Sequence, residues 1–270
     1  MKKLFYFTLL LICLTTYFFY AKLTIKEKDY LECQKKNDEF AKTCENTVKL
    51  KDTEIKQLKS VINNEKLPST VILNIPHYKQ KYTASCEFAA VHSAMKYFGV
   101  DVSEDQLISD IGQDKKTERY LDAEGNLHWG NPQVKFVGDV NAKVVYIDGY
   151  GVYNEPIYKV LTKYKFGNSI SKKNWDIEEL FQYIRKGYPA IAWISNDFKA
   201  KKVITLIAPD GSKHKWIDKE HAVVIKGVDK SNVYIMDVGR KNGEYKVSIS
   251  KFETGFKNLD NMAIVVIPDE

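Results

Sequence analysis

Four residues carry chemistry that their types and places in the chain make readable: Gln80, Cys86, His221 and Asp237. Cys86 follows Thr83-Ala84-Ser85 at the start of a stretch with helical periodicity. A thiol at a helix N-terminus has its anion favoured by the helix dipole and by unpaired backbone N–H groups. The same N–H groups can hold an oxyanion, and a side-chain amide at Gln80, in the loop before the helix, can supply a second donor. A thiol nucleophile needs a base from elsewhere in the fold. His221 opens the apolar run His221-Ala-Val-Val-Ile, and Asp237 closes the next, Val233-Tyr-Ile-Met-Asp237. A hairpin turning at Asp229–Asn232 brings those two ends together. The carboxylate then binds one ring nitrogen and leaves the other to face the thiol.

Each residue alone has a blander reading: Cys86 as a small core residue, His221 and Asp237 as a solvated strand-end pair. Their order along the chain favours the joint reading. The remaining histidines fit it less well. His92 lies on the Cys86 helix and projects elsewhere, while His77, His128 and His214 fall in expected loops.

The elements that must hold these residues follow from pattern. Helices are expected from Cys86 to Phe98, with Gly99 as the C-terminal stop. A second is expected after the Ser103/Gln106 capping box, a third from Pro156 to Tyr164, and a fourth from Asp176/Glu179 to Gly187. Strands are expected over 71–75, 189–195, 221–228, 233–237, 244–249 and 262–267, where short Val/Ile-rich runs replace the helical period. A helical front half and a β-rich second half make an α+β domain over residues 70–270. The stretches 113–135 and 196–220 read as long polar loops, suited to lids or substrate walls.

Two segments precede that domain. Residues 1–21 join Lys2 and Lys3 to an apolar run from Leu4 to Tyr20. That run is about as long as the shortest membrane spans, ~17–25 residues, and its cleavage site is poorly formed. An uncleaved membrane anchor is expected, with a cleaved export signal as the alternative. Residues 22–69 are charged and lack glycine, with proline only at Pro68. They read as a helical stalk or a disordered linker. Ile55, Leu58 and Ile62 form a short heptad pattern. Cys33 and Cys44 are too far apart on a helix to pair with each other, which leaves self-association through the stalk as an open reading.

The chain of 270 residues carries a formal net charge of +6, spread along its length. No basic patch interleaved with aromatics points to nucleic acid. With one cysteine in the domain, a Cys/His zinc site is not expected, and the chemistry above needs no cofactor or metal.

Several stretches together resemble papain-like cysteine peptidases, and in detail the bacterial group related to bacteriocin-processing (double-glycine leader) peptidases, the C-thirty-nine-like group. Asn74-Ile-Pro-His-Tyr-Lys-Gln80 is similar to that family's opening strand and oxyanion glutamine. Ser85-Cys-Glu-Phe-Ala-Ala is similar to its nucleophile motif. His128-Trp-Gly-Asn-Pro with Phe136-Val-Gly-Asp139, and Gly149-Tyr-Gly-Val-Tyr, resemble mid-domain segments. The His221 and Asp237 runs resemble the base and acid strands.

The resemblance covers about 71–267. It implies a papain-like fold and cleavage of peptide or amide bonds by a Cys86–His221–Asp237 triad with Gln80. It departs at Glu87, where leader-processing enzymes usually carry glycine and the stand-alone branch resembles this chain, and at Val238, where proline is common. No ATP-binding motif or transporter domain accompanies it, which argues against export-coupled leader cleavage. The expected protein is a membrane-anchored, extracytoplasmic peptidase acting on peptides or proteins. The alternatives are a cell-wall amidase or transamidase and a non-catalytic binding module on the same fold.

Overall fold

The structure is a computed structural model that describes residues 67–270, together with residues 34–36, 39, 41–43, 45 and 47–51. These last are helical and exposed. The anchor expected over 1–21, and Cys33 and Cys44, lie outside the described residues. Among the described residues no helix is long and apolar enough to cross a membrane. Residues 67–270 form one compact unit.

That unit runs β1 (Val71–Ile72), α1 (Cys86–Tyr97), α2 (Glu104–Ile111), β2 (Gln113–Asp114), β3 (Tyr120–Leu121), β4 (Leu127–His128), β5 (Phe136–Val137), α3 (Asn154–Lys163) and β6 (Ile170–Lys172). It continues with α4 (Ile177–Arg185), β7 (Ala190–Ser195), β8 (Ile204–Ile207), β9 (Lys213–Trp216), β10 (Glu220–Val228), β11 (Asn232–Met236), β12 (Glu244–Ser248), α5 (Ile249–Lys257) and β13 (Ala263–Val265).

The main sheet has seven strands in the order β12-β11-β10-β7-β13-β6, with β1 added at the far end of β10. All its pairings are antiparallel. Every residue of β10 is buried, because both faces are covered. Ala222 and Val224 alternate into a core shared with α1, α2 and α3. Val223, Ile225 and Val228 alternate into a second core closed by α4 and α5.

Helix α1 lies inside the domain. Its residues from Cys86 to Met95 are all buried, including Glu87, His92 and Ser93. A helix covered on all sides needs small or apolar residues all round, and Ala89, Ala90 and Ala94 allow the close approach. Of the polar exceptions, Glu87 accepts the Val152 N–H at 2.7 Å, while Ser93 Oγ has no partner among the described residues. His92 Nδ1 bonds the Val102 carbonyl at 2.7 Å. Helices α2, α4 and α5 start at side-chain caps, with Ser103, Asp176 and Ser248 accepting from Gln106, Glu179 and Lys251 N–H groups.

Several boundaries differ from expectation. The opening strand is two residues, not five, and the Leu73 N–H still donates to the Lys226 carbonyl at 2.6 Å beyond it. Pro156 is the third residue of α3 and does not open it; the first turn of a helix needs no N–H there. The stretches 113–135 and 196–220 are not plain loops. They supply β3, β4, β8 and β9, which form a separate four-stranded sheet. Helix α5 was not expected from pattern, since Ser248 caps it directly at the end of a strand.

Strand β1 approaches β10 at a register shift between Ile225 and Gly227. A Cβ at Gly227 would fall against the Val71 carbonyl and 2.9 Å from Ile72 Cα. Gly227→Ala is therefore expected to push β1 off the sheet and to lower stability by about 1–3 kcal/mol, read as a lower midpoint in urea unfolding.

Candidate active site

Cys86 is the first residue of α1, with Ser85 as its N-cap. Ser85 Oγ donates to the Tyr82 carbonyl at 3.1 Å rather than capping the helix, which ties the preceding loop to the helix start. The Cys86 thiol is buried between α1 and β10. The Ala222 N–H donates to its Sγ at 3.4 Å, and the thiol faces Glu87 Oε2, also at 3.4 Å.

His221 precedes Ala222 on β10, so the strand that touches the thiol also carries the ring. Its Nε2 lies 2.7 Å from Asp237 Oδ1, and both residues are buried. Continuing the β10–β11 register past Val224↔Met236 puts Asp237 diagonally across from His221, within reach of such a contact. The carboxylate is held on every side. The Gly239 N–H donates to Oδ1 at 2.8 Å, the Tyr245 hydroxyl to Oδ2 at 3.1 Å, and Arg240 Nε lies 3.0 Å from Oδ2. Burial alone would raise the Asp237 carboxyl. The His221 hydrogen bond and charge, with the Gly239 and Tyr245 donors, outweigh it and hold the group down at about 2. A Cβ at Gly239 would lie 3.1 Å from both Asp237 Oδ1 and His221 Cε1, so glycine leaves the pair room.

Gln80, Cys86, His221 and Glu220 line one pocket of about 510 Å³, with Tyr146 and Asn196 on its wall. Of the four residues singled out by sequence, Gln80, Cys86 and His221 thus share this pocket, and Asp237 joins them through its contact with His221. Gln80 is engaged differently from the expected oxyanion donor. Its Nε2 donates to the carbonyls of Tyr82 and Thr83, at 2.8 and 3.0 Å, so both amide hydrogens are used. It can offer one to an oxyanion only by releasing a carbonyl.

The other histidines stay outside this group. His128 is on β4, bonded to Asp122 at 3.1 Å and stacked on Tyr120. His214 is on β9, bonded to Ser212. His77 borders Gly243.

Sequence reasoning missed the groups around the triad. Tyr245, Arg240 and Gly239 surround Asp237. Glu220 sits directly before His221, and its position beside the base, at the end of an apolar strand, is the signal that could have found it. Tyr146, at positive φ, donates to the Glu220 carbonyl at 3.0 Å.

The electrostatics of the thiol also differ from expectation. The helix start and the Ala222 N–H favour a thiolate, but burial and then the charges of Glu87 and Glu220 push the Cys86 thiol well above its ordinary range. Burial raises Glu87 to about 7 against N–H donation from Val152. Burial and then the Glu87 charge raise Glu220 well above the carboxylate range. Two buried carboxylates this close oppose each other's ionisation.

Residues 72–264 match the family model described as the Peptidase_C39 like family. The chain belongs to that family. It is a cysteine peptidase with the papain-like fold. A solved C-thirty-nine-like peptidase from Bacillus anthracis is 26% identical, with a TM-score of 0.65, over 75% of this chain and all of that one. The peptidase domain of Streptococcus ComA, a transporter involved in quorum sensing, is 16% identical (TM-score 0.43) over 73% of this chain and all of that domain. A double-glycine-motif protease from an AMS/PCAT transporter, solved with its leader peptide, is also 16% identical (TM-score 0.41) over 73% of this chain and 94% of its own. None of the curated proteins compared with the chain matches it.

Two predictions follow from the buried carboxylates. A carboxyl raised on folding binds its proton more tightly in the folded state. It therefore costs stability as pH rises from its unfolded value, ~4.3, through its folded one. Stability of the protein is expected to fall between about pH 5 and pH 8, and Glu220→Gln to flatten that fall, read as thermal midpoints across pH. Glu87→Gln removes a charge beside the thiol, so the midpoint of Cys86 alkylation by iodoacetamide is expected to move to lower pH. The measurement uses the full chain with Cys13, Cys33 and Cys44 replaced by serine.

Proposed function

We propose that the protein is a membrane-tethered, extracytoplasmic peptidase that cleaves peptide bonds with Cys86 as nucleophile, His221 as base and Asp237 as the acid that orients it. The observation that carries this reading is the 2.7 Å contact from His221 Nε2 to Asp237, in the pocket that Cys86 also lines. With Nε2 engaged, Nδ1 is the ring nitrogen left to exchange a proton. The apolar run after Lys2 and Lys3 supports the tether and the outward placement of the domain.

The raised thiol shapes the mechanism. Cys86 rests as a neutral thiol, and His221 takes its proton as the sulfur attacks the substrate carbonyl. The new C–S bond leaves the negative charge on the carbonyl oxygen. The backbone N–H of Cys86, at a helix start where it has no intrahelical acceptor, holds that oxygen, and Gln80 joins it on releasing the Thr83 carbonyl. His221 then protonates the leaving amine as the C–N bond breaks, giving a thioester. Water, deprotonated by His221, attacks the thioester carbonyl, and the thiol leaves with its proton restored. Asp237 keeps the ring in the tautomer with its proton on Nε2.

The family favours peptide substrates, and the Cys86–Glu87 motif favours the stand-alone branch over leader cleavage during export. Substrate class is read by incubating the full chain with unstructured peptides and with cell-wall fragments and analysing the products by mass spectrometry. New peptide N-termini support the proposal. Products from wall cross-links alone would transfer the same triad to an amidase.

With a cleaved peptide in hand, Cys86→Ala is expected to abolish turnover. Asp237→Asn is expected to lower kcat by about 10²–10⁴-fold, because the ring loses its tautomer and orientation. Full activity in Cys86→Ala would overturn the assignment.

A further inference from the structure

The carboxylates of Glu87 and Glu220 are placed beside the thiol, yet the hydrolytic steps use neither of them. Each of the three residues offers a ligand atom within 4.8 Å of the other two, and all three are buried. We propose that Cys86, Glu87 and Glu220 form a binding site for a thiophilic divalent cation of the Zn²⁺ class, and that its occupancy switches the peptidase off.

The cluster has a fixed side and a free side. Glu87 Oε1 accepts the Val152 N–H at 2.7 Å, which turns Oε2 toward the thiol. The Ala222 N–H steadies the sulfur. Glu220 is only 3% exposed, and neither of its oxygens has a hydrogen-bond partner. A buried carboxylate without partners is costly, and the like charge of Glu87 adds to the cost of ionising Glu220. A cation satisfies both carboxylates at once. Gly151 makes the space: a Cβ there would fall against Glu87 Oε1 and 3.0 Å from Glu220 Oε2.

The donor set suits such an ion. Zinc takes thiolate sulfur at ~2.3 Å and carboxylate oxygen at ~2.0–2.2 Å, in tetrahedral geometry. Glu220, which nothing else holds, can move to close the three-ligand set, and the pocket that it lines gives water access to the fourth position. The site differs from the Cys/His type that a single cysteine argues against, because carboxylates replace the missing ligands. No electrons change hands. The thiol gives up its proton, the carboxyl pair gives up any proton it holds, and the sulfur lone pair goes to the metal. A sulfur whose charge is drawn to the metal is a weaker nucleophile, and the ion occupies the space in which a carbonyl would approach it, so the ion inhibits. The inhibitory consequence rests on Cys86 being the nucleophile; the binding site does not.

The test titrates Cd²⁺, followed by its ultraviolet thiolate charge-transfer band, into the full chain with Cys13, Cys33 and Cys44 replaced by serine. Only Cys86 can then give the band. Glu220→Gln is expected to weaken binding by about tenfold or more, while His221→Ala binds as the parent does. Circular dichroism checks each variant, and Glu87→Gln replaces Glu220→Gln if the latter does not fold. Unchanged affinity in the glutamine variant, loss of binding in His221→Ala, or no band at all overturns the proposal. In the second case Cys86 and His221 hold the ion instead. Zn²⁺ is then expected to inhibit peptide cleavage by the parent and to do so less in Glu220→Gln. Carboxylate-dependent binding together with peptide cleavage surviving in Cys86→Ala would sink the nucleophile assignment and leave the metal site standing.

Discussion

Everything in the site hangs on the packing of α1 against β10. A helix whose first ten residues are all buried has to end its N-terminus inside the protein, and the strand beside it has to supply what that terminus lacks. The Ala222 N–H points at the Cys86 sulfur. Because the strand also carries His221, fixing the thiol against β10 fixes the ring one residue away. The β10–β11 hairpin, closed by Asp229 accepting the Ser231 and Asn232 N–H groups at 2.7 Å, then sets where Asp237 falls. Three side chains far apart in sequence are thereby positioned by one helix–strand contact and one strand register. These are rigid elements, and a catalytic constellation needs tolerances that loops rarely keep.

The same burial sets the site's electrostatics. Asp237 is buried and ionised because four groups from three segments donate to it or neutralise it. Glu220 is equally buried and has no donor, so it resists ionisation. Two buried carboxyls of one site are thus driven in opposite directions by the presence or absence of partners, with burial common to both. The pattern divides the labour: Asp237 supplies a standing negative charge to the ring, whereas the Glu87–Glu220 pair responds to protons and cations.

Much of this was legible in the sequence, and the reasons separate cleanly. Cys86, His221 and Asp237 were legible because each sits at the boundary of a strongly patterned element, where a polar residue stands out against the run that it ends. The strand order of β10 and β11 followed from a short turn. The four-stranded sheet of β3, β4, β8 and β9 was not legible, since strands of two to four residues such as Tyr120–Leu121 are too short to show a period. Gln80 was legible as a position but not as a state, because its engagement depends on where the Tyr82 and Thr83 carbonyls turn. The thiol's protonation was read from the helix dipole, a local effect. Burial, the largest cause of the raised thiol, comes from tertiary packing, and Glu220 arrives from 134 residues away in the chain through β10; no spacing rule reports either, and even for the adjacent Glu87 the turn of the side chain toward the sulfur is not written in the sequence.

A glutamate directly after the nucleophile looks at first like a poor choice for a thiol enzyme, since its charge opposes the thiolate. Its geometry shows what it also does. The carboxylate reaches across to the Val152 N–H, and the Trp193 indole donates to the Val152 carbonyl at 2.9 Å. Glu87 therefore ties the start of α1 to the segment before α3, and Trp193 ties that segment in turn to β7, the strand that pairs with His221 and Ala222 through Ile194 and Trp193. A glycine at this position would leave the Val152 N–H without its carboxylate. Glu87 thus trades thiolate stability for placement. That trade is consistent with an enzyme whose thiol is deprotonated only as it attacks, and whose resting state is open to control through the carboxylates beside it.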